Sequence, residues 1–234
     1  APAIIEVAAF ASEQVPLMIE IRDGQQLVAK GSVGQFEIPN AKLWSAETPH
    51  LYTCTASCGN DSQTVRFGIR KLDWSAKTGL LVNGQETLLR GGCIHHDNGV
   101  LGACAFSDAE YRRVKILKEQ GFNALRMAHN PASRAMLDAC DELGMYVMDE
   151  AFDGWYIPKD YHDYSRQFFD GYKSDLSSMV KKDMNHPSVI LYSVGNEVSE
   201  TVEKKGVALS AEMRDYIKSL DDTRPVTCGV NVLL

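Results

Sequence analysis

The chain has 234 residues, 44% hydrophobic and 24% charged, with a formal net charge of −7. That length suits one large or two small globular domains, and an acidic balance without a basic cluster argues against nucleic acid or an anionic membrane as partner. No apolar run approaches the roughly 20 residues of a membrane span, and the first residues carry no charged head before an apolar core, so no secretory leader is visible in this stretch.

Residues 1–72 read as β structure. Val15 to Ile21 runs into Asp23-Gly24, a hairpin signal, and Leu27-Val28-Ala29 follows it. Gln35 to Ile38 and Leu51 to Cys58 are further strands. Val65, Phe67 and Ile69 alternate with polar residues, which predicts one buried and one wet face. Short strands with turn signals and no helical period suggest a sandwich, but one shorter than the usual 100 residues or so, so a strand or two is expected before Ala1. Asn83-Gly84, between Leu80-Leu81-Val82 and Thr87-Leu88-Leu89, is a two-residue hairpin signal; it is read as a lid or plug at the entrance to a second domain, 73–234.

From Arg90 the period changes. Gly91 to Ile94 is a first strand. Ser107-Asp108-Ala109-Glu110 reads as a capping box opening a helix that stops at Gly121. Phe122–Met127 is a strand, Ser133–Leu143 a helix closed by Gly144, and Met145–Asp149 a strand. Residues 153–167 show no period and read as a long loop. A helix over Phe169–Met184 precedes Val189-Ile190-Leu191-Tyr192-Ser193-Val194, an apolar run bounded by Pro187 and Gly195. A helix from about Val202 to Leu220 and a strand over Pro225–Val230 complete the alternation. Such alternation predicts a parallel sheet of five strands built from βαβ units.

The first four strands all end in polar groups: His95-His96-Asp97-Asn98, Arg126-Met127-Ala128-His129-Asn130, Asp149-Glu150 and Asn196-Glu197. Polar tips gathered at carboxyl ends of parallel strands are the pattern of a barrel active site. Metal chemistry on the first strand would want His-x-His, whereas His95 and His96 are adjacent and face opposite ways; a set of His95, His129 and Glu197 stays open as a rival. Serine chemistry would want G-x-S-x-G, which is absent around Ser193. Carboxylate chemistry remains: Glu197 is one candidate, and Asp149 or Glu150 another, with Arg126 expected to hold one of the latter in an ion pair. The six cysteines form no CxxC pair; they read as reduced packing residues, which favours a reducing compartment such as the cytoplasm.

These motifs resemble glycoside hydrolase family 2, the β-galactosidase, β-glucuronidase and β-mannosidase group. The matching segments are Trp44 to Tyr52, Phe67-Gly-Ile-Arg-Lys71, Val82-Asn-Gly-Gln85, Leu89-Arg-Gly91, His95-His96-Asp97, Arg126 to Pro131, Asp149-Glu150-Ala151, and His186-Pro187-Ser188 through Glu197. The resemblance implies an immunoglobulin-like β-sandwich followed by a (β/α)8 barrel, here an incomplete one of about five strands. It implies exo-acting, retaining hydrolysis of a terminal β-linked sugar, with Glu197 as acid/base and Asn196 on the sugar 2-hydroxyl. Arg126, His95 and His129 match positions lining the site, and Asp149 is taken as a further substrate-binding residue. The His95-to-Gly99 and Ser193-to-Glu197 runs look most like β-galactosidase-type members, with a β-glucuronidase, a β-mannosidase or a non-catalytic carbohydrate-binding relative as the alternatives.

The family's nucleophile is a second glutamate on a later strand, about the seventh, and only about 160 residues follow Asp73, against about 250 in a whole barrel. The chain therefore reads as a fragment of a larger enzyme, inactive alone, with an open sheet edge that favours self-association into a homo-oligomer. Some β-galactosidases of the family bind magnesium through a Glu-x-His pair just after the third strand. Phe152-Asp153-Gly154-Trp155 holds no such pair, and no metal or other cofactor is expected.

Overall fold

The computed structural model describes residues 2–13 and 15–231. The amino-terminal strands are β1 (Ala3–Val7), β2 (Met18–Asp23), β3 (Gln26–Gly31), β4 (Gly34–Ile38), β5 (Tyr52–Cys58) and β6 (Asp61–Phe67). They form a four-stranded antiparallel sheet, β3-β2-β5-β6, and a two-stranded sheet, β1-β4. Ile19, Ile21, Tyr52 and Cys54 of the first pack on Phe36 and Ile38 of the second, so the apolar alternation of each strand becomes one sandwich core.

Two readings of this region need correction. β2 starts at Met18 rather than Val15, since Pro16 has no amide to give a ladder. Val65 is 38% exposed and outside the core: β6 is the edge strand, and of its apolar face only Phe67, with Ile69 beyond it, packs on the core.

β7 (Leu72–Ser75), β8 (Gly79–Val82) and β9 (Gln85–Glu86) make a small antiparallel sheet around the Asn83-Gly84 turn. The barrel portion follows as β10 (Gly91–His95), α1 (Ser107–Glu119), β11 (Ala124–Ala128), α2 (Arg134–Leu143), β12 (Tyr146–Glu150), α3 (Phe168–Asp183), β13 (Val189–Ser193), α4 (Lys204–Leu220) and β14 (Val226–Thr227). Its five strands are parallel and ordered as in sequence. The helices cover one face, around Leu125, Val147, Val189, Phe168, Leu176, Met213 and Ile217. Among the described residues, no helix is long and apolar enough to cross a membrane.

α1 does not use the expected capping box. Phe106 occupies the cap position without a side-chain bond, and Glu110 pairs with Arg113 at 3.2 Å. Arg113 in turn reaches the His95 carbonyl at 2.7 Å, so Glu110 serves the helix-to-strand contact instead of the cap. α2 follows its signals: Ser133 Oγ accepts from Met136 N, and Gly144 closes the helix in the left-handed region. A Cβ at Gly144 would also lie 2.2 Å from the Ala46 carbonyl.

The small sheet and the Trp44 segment plug the amino ends of the barrel strands. Trp44, Ala46, Val82, Ala124, Tyr146 and Ile190 form one buried cluster. Trp44 is fully buried, its indole donates to the Asp141 carbonyl at 2.9 Å, and it meets Tyr146 edge-on at 5.7 Å. Polar ties surround it. Arg70 donates to the Pro187 and Val189 carbonyls at 2.6 and 2.5 Å, Lys118 to those of Ala46 and Gly144 at 2.7 and 2.6 Å, and Arg66 pairs with Asp138 and Glu142.

On the helix-covered face lies a buried carboxyl pair. Asp149 and Asp183 are both 0% exposed. Asp149 Oδ1 accepts from Ala132 N at 2.8 Å, and Lys182 contacts Asp183 Oδ1. Each carboxyl keeps one buried oxygen without a donor. Burial first, and then the Asp149 charge, push the Asp183 carboxyl up to about 8, with Lys182 opposing. Burial and the neighbouring Asp149 charge thus favour the protonated form of Asp183.

Two measurements test this layer. Trp44→Ala should lower stability by about 3–5 kcal/mol in urea unfolding, since it empties the plug and orphans its polar partners. Asp183 binds its proton more tightly folded than unfolded, so its contribution is fully present below about pH 4 and is lost as pH rises through about 8. Asp183→Asn should therefore flatten the fall in urea midpoint between pH 5.5 and 8.5; an unchanged slope would mean that Asp183 is not protonated by folding.

Candidate active site

The ladder register decides which side chains meet inside the barrel. Arg126 on β11 sits opposite Cys93 of β10 and Met148 of β12, and Glu150 of β12 sits opposite Ser193 of β13. Because side chains alternate along a strand, Cys93, His95, Arg126, Met148, Glu150 and Ser193 share the inner face, and Met127, Asp149 and Tyr192 the outer one.

Glu150 is the hub. It is fully buried, and its carboxylate accepts from Arg126 Nε and Nη2 at 3.0 and 2.8 Å, His129 Nδ1 at 2.7 Å and Ser193 Oγ at 2.6 Å. Burial works against the Arg126 charge, but the Glu150 carboxylate outweighs it and holds the guanidinium above its ordinary range. The His129 ring packs edge-on against His95 at 5.2 Å. His96 turns the other way, to the Asn130 carbonyl at 3.4 Å. Cys228 lies beside this group, where burial and the Glu150 charge push its thiol up to about 12.

From the hub the network runs to the tip of β13. Arg126 Nη2 donates to Asn196 Oδ1 at 2.9 Å, and Asn196 Nδ2 donates to Asp153 Oδ1 at 2.9 Å. Both ends of the amide are thus fixed, with Asn196 itself 7% exposed. Asp153 is held below the usual carboxylate range: partial burial opposes its charge, but Asn196 and Lys159 outweigh that.

Glu197, next in the chain, is exposed, has no hydrogen-bonded partner among the described residues, and has φ +45°. A non-glycine residue there costs about 1–2 kcal/mol. The far side is set by Gly229, which donates to the Gly195 carbonyl at 2.7 Å while its own carbonyl accepts from Val198 N at 2.9 Å. A Cβ on Gly229 would stand 3.2 Å from Arg126 Nη2 and 3.2 Å from Glu197 N. Past Thr227 the chain leaves the strand and bridges Val198 through Val230, so the expected strand over 225–230 is cut short to serve this tip.

His95, Arg126, His129, Asn196 and Glu197 therefore converge on one mouth. Asp149 does not. It points to the helix layer and is fully buried, so it cannot touch a substrate; a one-residue step along β12 gives the inner position to Glu150. No motif in the sequence marks Ser193 as a partner of Glu150, Asp153 as a partner of Asn196, or Lys159 and Gly229 as part of the tip. Strand parity was a usable signal for Ser193; loop residues 153 and 159 carried none.

The oxygens after the third barrel strand do not fit a divalent cation. Lys159 Nζ already sits on Asp153 Oδ1, the Asp153 carbonyl and the Asn196 carbonyl at 3.1, 2.6 and 2.7 Å. Among the described residues, the group with three clustered metal-type donors is Asp138, Asp141 and His186. It lies at the opposite, amino end of the sheet, and its members already engage Arg66, Ser188 N and one another.

Two family descriptions match the chain, "Glycosyl hydrolases family 2" over residues 7–70 and "Glycosyl hydrolases family 2, TIM barrel domain" over 76–233. Beta-galactosidase BoGH2A of Bacteroides ovatus is 37% identical over 84% of this chain and 27% of its own length. The crystal structure of a glycosyl hydrolase family 2 member from Bacteroides cellulosilyticus is 40% identical, with a TM-score of 0.87, covering 100% of this chain and 31% of that one. The beta-glucuronidase structure from Parabacteroides merdae is 27% identical, with a TM-score of 0.77, covering 92% and 29%. The chain spans about a quarter to a third of the length of these proteins. With its sandwich and partial barrel matched in turn, the chain belongs to glycosyl hydrolases family 2.

Proposed function

We propose that the chain carries the acid/base half of an exo-acting, retaining β-glycosidase. The observation that carries this is an exposed Glu197 at a strand tip, beside an Asn196 amide fixed at both ends. Glu197 protonates the glycosidic oxygen as the bond breaks, then takes a proton from the water that releases the sugar. Asn196 holds the sugar 2-hydroxyl, and Arg126, His129 and His95 line the pocket. Glu150 is no nucleophile in this scheme, because all its lone pairs are directed at Arg126, His129 and Ser193. The partner carboxyl, about 5–5.5 Å from Glu197 in a retaining enzyme, belongs to a later strand of the longer protein.

The substrate we propose is a terminal β-galactoside. The likeness to beta-galactosidase BoGH2A and the residue runs at 95–99 and 193–197 support it. The beta-glucuronidase likeness supports a second reading, a β-glucuronide substrate. The sandwich is taken as 1–72 and the catalytic portion as 73–234.

In the full-length enzyme, Glu197→Gln should lower hydrolysis of an unactivated disaccharide by about 10²–10⁴-fold, and of an aryl glycoside with a good leaving group by less in its first step. Equal rates for variant and wild type on the disaccharide would remove the acid/base role. The 234-residue chain alone should not turn over aryl β-galactosides or β-glucuronides; turnover that Glu197→Gln abolishes would mean that it holds its own nucleophile.

A further inference from the structure

Lys159 lies in the long 153–167 loop, yet its ammonium is not left to solvent. It has three N–H donors and three oxygens to meet them: Asp153 Oδ1 at 3.1 Å, the Asp153 carbonyl at 2.6 Å and the Asn196 carbonyl at 2.7 Å. The loop that presents it is built for the purpose. Trp155 Nε1 donates to the Val194 carbonyl at 2.7 Å, and Ile157 N donates to buried Glu200 at 2.9 Å. Asp163 accepts from the backbone amides of Lys159, Asp160 and Ser165 at 2.6, 3.1 and 3.0 Å.

The Asn196 carbonyl belongs to the peptide that leads into Glu197. Pinning it fixes the plane from which Glu197 leaves with φ +45°. The same Asp153 Oδ1 that takes the ammonium also takes Asn196 Nδ2 at 2.9 Å, so one charged pair aims both the Asn196 amide and the Glu197 backbone.

We propose that Lys159 and Asp153 are positioning residues of the glycosidase reaction: the Lys159 ammonium is a built-in cation that clamps the Asn196–Glu197 tip. This rests on the acid/base reading of Glu197. Neither residue needs to touch the reacting bond. Misplacement of reacting groups by about 1 Å can cost on the order of 100-fold in rate.

The test uses the full-length enzyme and compares Lys159→Met, Asp153→Asn and Glu197→Gln on an aryl β-glycoside and on its 2-deoxy analogue. Lys159→Met should lower kcat about 10- to 100-fold with KM within about threefold and Tm nearly unchanged. It should also shrink the rate advantage of the 2-hydroxy substrate, because Asn196 is no longer aimed. Asp153→Asn, a change at a half-exposed side chain, should do the same to a smaller degree and stands in if Lys159→Met does not fold. A kcat within threefold of wild type, or an equal loss on both substrates with a lowered Tm, would overturn the clamp while Glu197→Gln still shows its reduced rate. Full activity of Glu197→Gln would instead overturn the acid/base reading, and the clamp with it.

Discussion

A carboxylate with no solvent must be paid for by its neighbours, and Glu150 is that carboxylate. Its Arg126, His129 and Ser193 partners come from β11, the turn after it, and β13. Removing one partner of such a buried pair costs about 3–5 kcal/mol, so the register of three strands and the rotamers of Arg126 and His129 are set together. Arg126 can then offer Nη2 to Asn196 in a single direction. The Asn196 amide at the mouth is thus aimed from below by a fully buried group.

The two ends of the parallel sheet divide the labour. At the amino ends, Trp44, Tyr146, Val82 and Ile190 close a plug of apolar side chains, and Arg70 and Lys118 donate to the carbonyls of Pro187, Val189, Ala46 and Gly144 around it. At the carboxyl ends the exposed groups are His95, Glu197 and Asp153. A rigid base lets the tip carry strain: the left-handed Glu197 persists because Lys159 holds the peptide before it and Gly229 accepts Val198 N after it. Gly229 also explains the shortness of β14, since a regular strand would carry the chain past the tip instead of around it.

Much of this was legible in the sequence because it rests on local chemistry. The Ser133 cap, the Gly144 stop and the Asn83-Gly84 turn are each decided within a few residues, and βα alternation with right-handed crossovers leaves little freedom of strand order. Polar groups at four successive carboxyl ends then had to gather at one mouth. Where the reading failed, the deciding partner lay far away in the chain. Glu110 was drawn from the cap by Arg113 and the β10 carbonyl it reaches. Val65 lost its burial because β6 is the sheet edge.

Asp149 and Glu150 mark the boundary most sharply. Adjacent, equally acidic and equally buried, they differ only in the face they occupy, and composition or motif cannot assign a face. The pairing of Arg126 with Met148 does, because it sends Glu150 inward and Asp149 out to Asp183. Lys159 lies further from any sequence signal. Its loop has no period, its charge is ordinary, and its role exists only because the loop returns to the tip of a strand 37 residues later. A loop can hold a strand tip with the same accuracy as a strand when both its own ends are tied, as Trp155 and Asp163 tie this one.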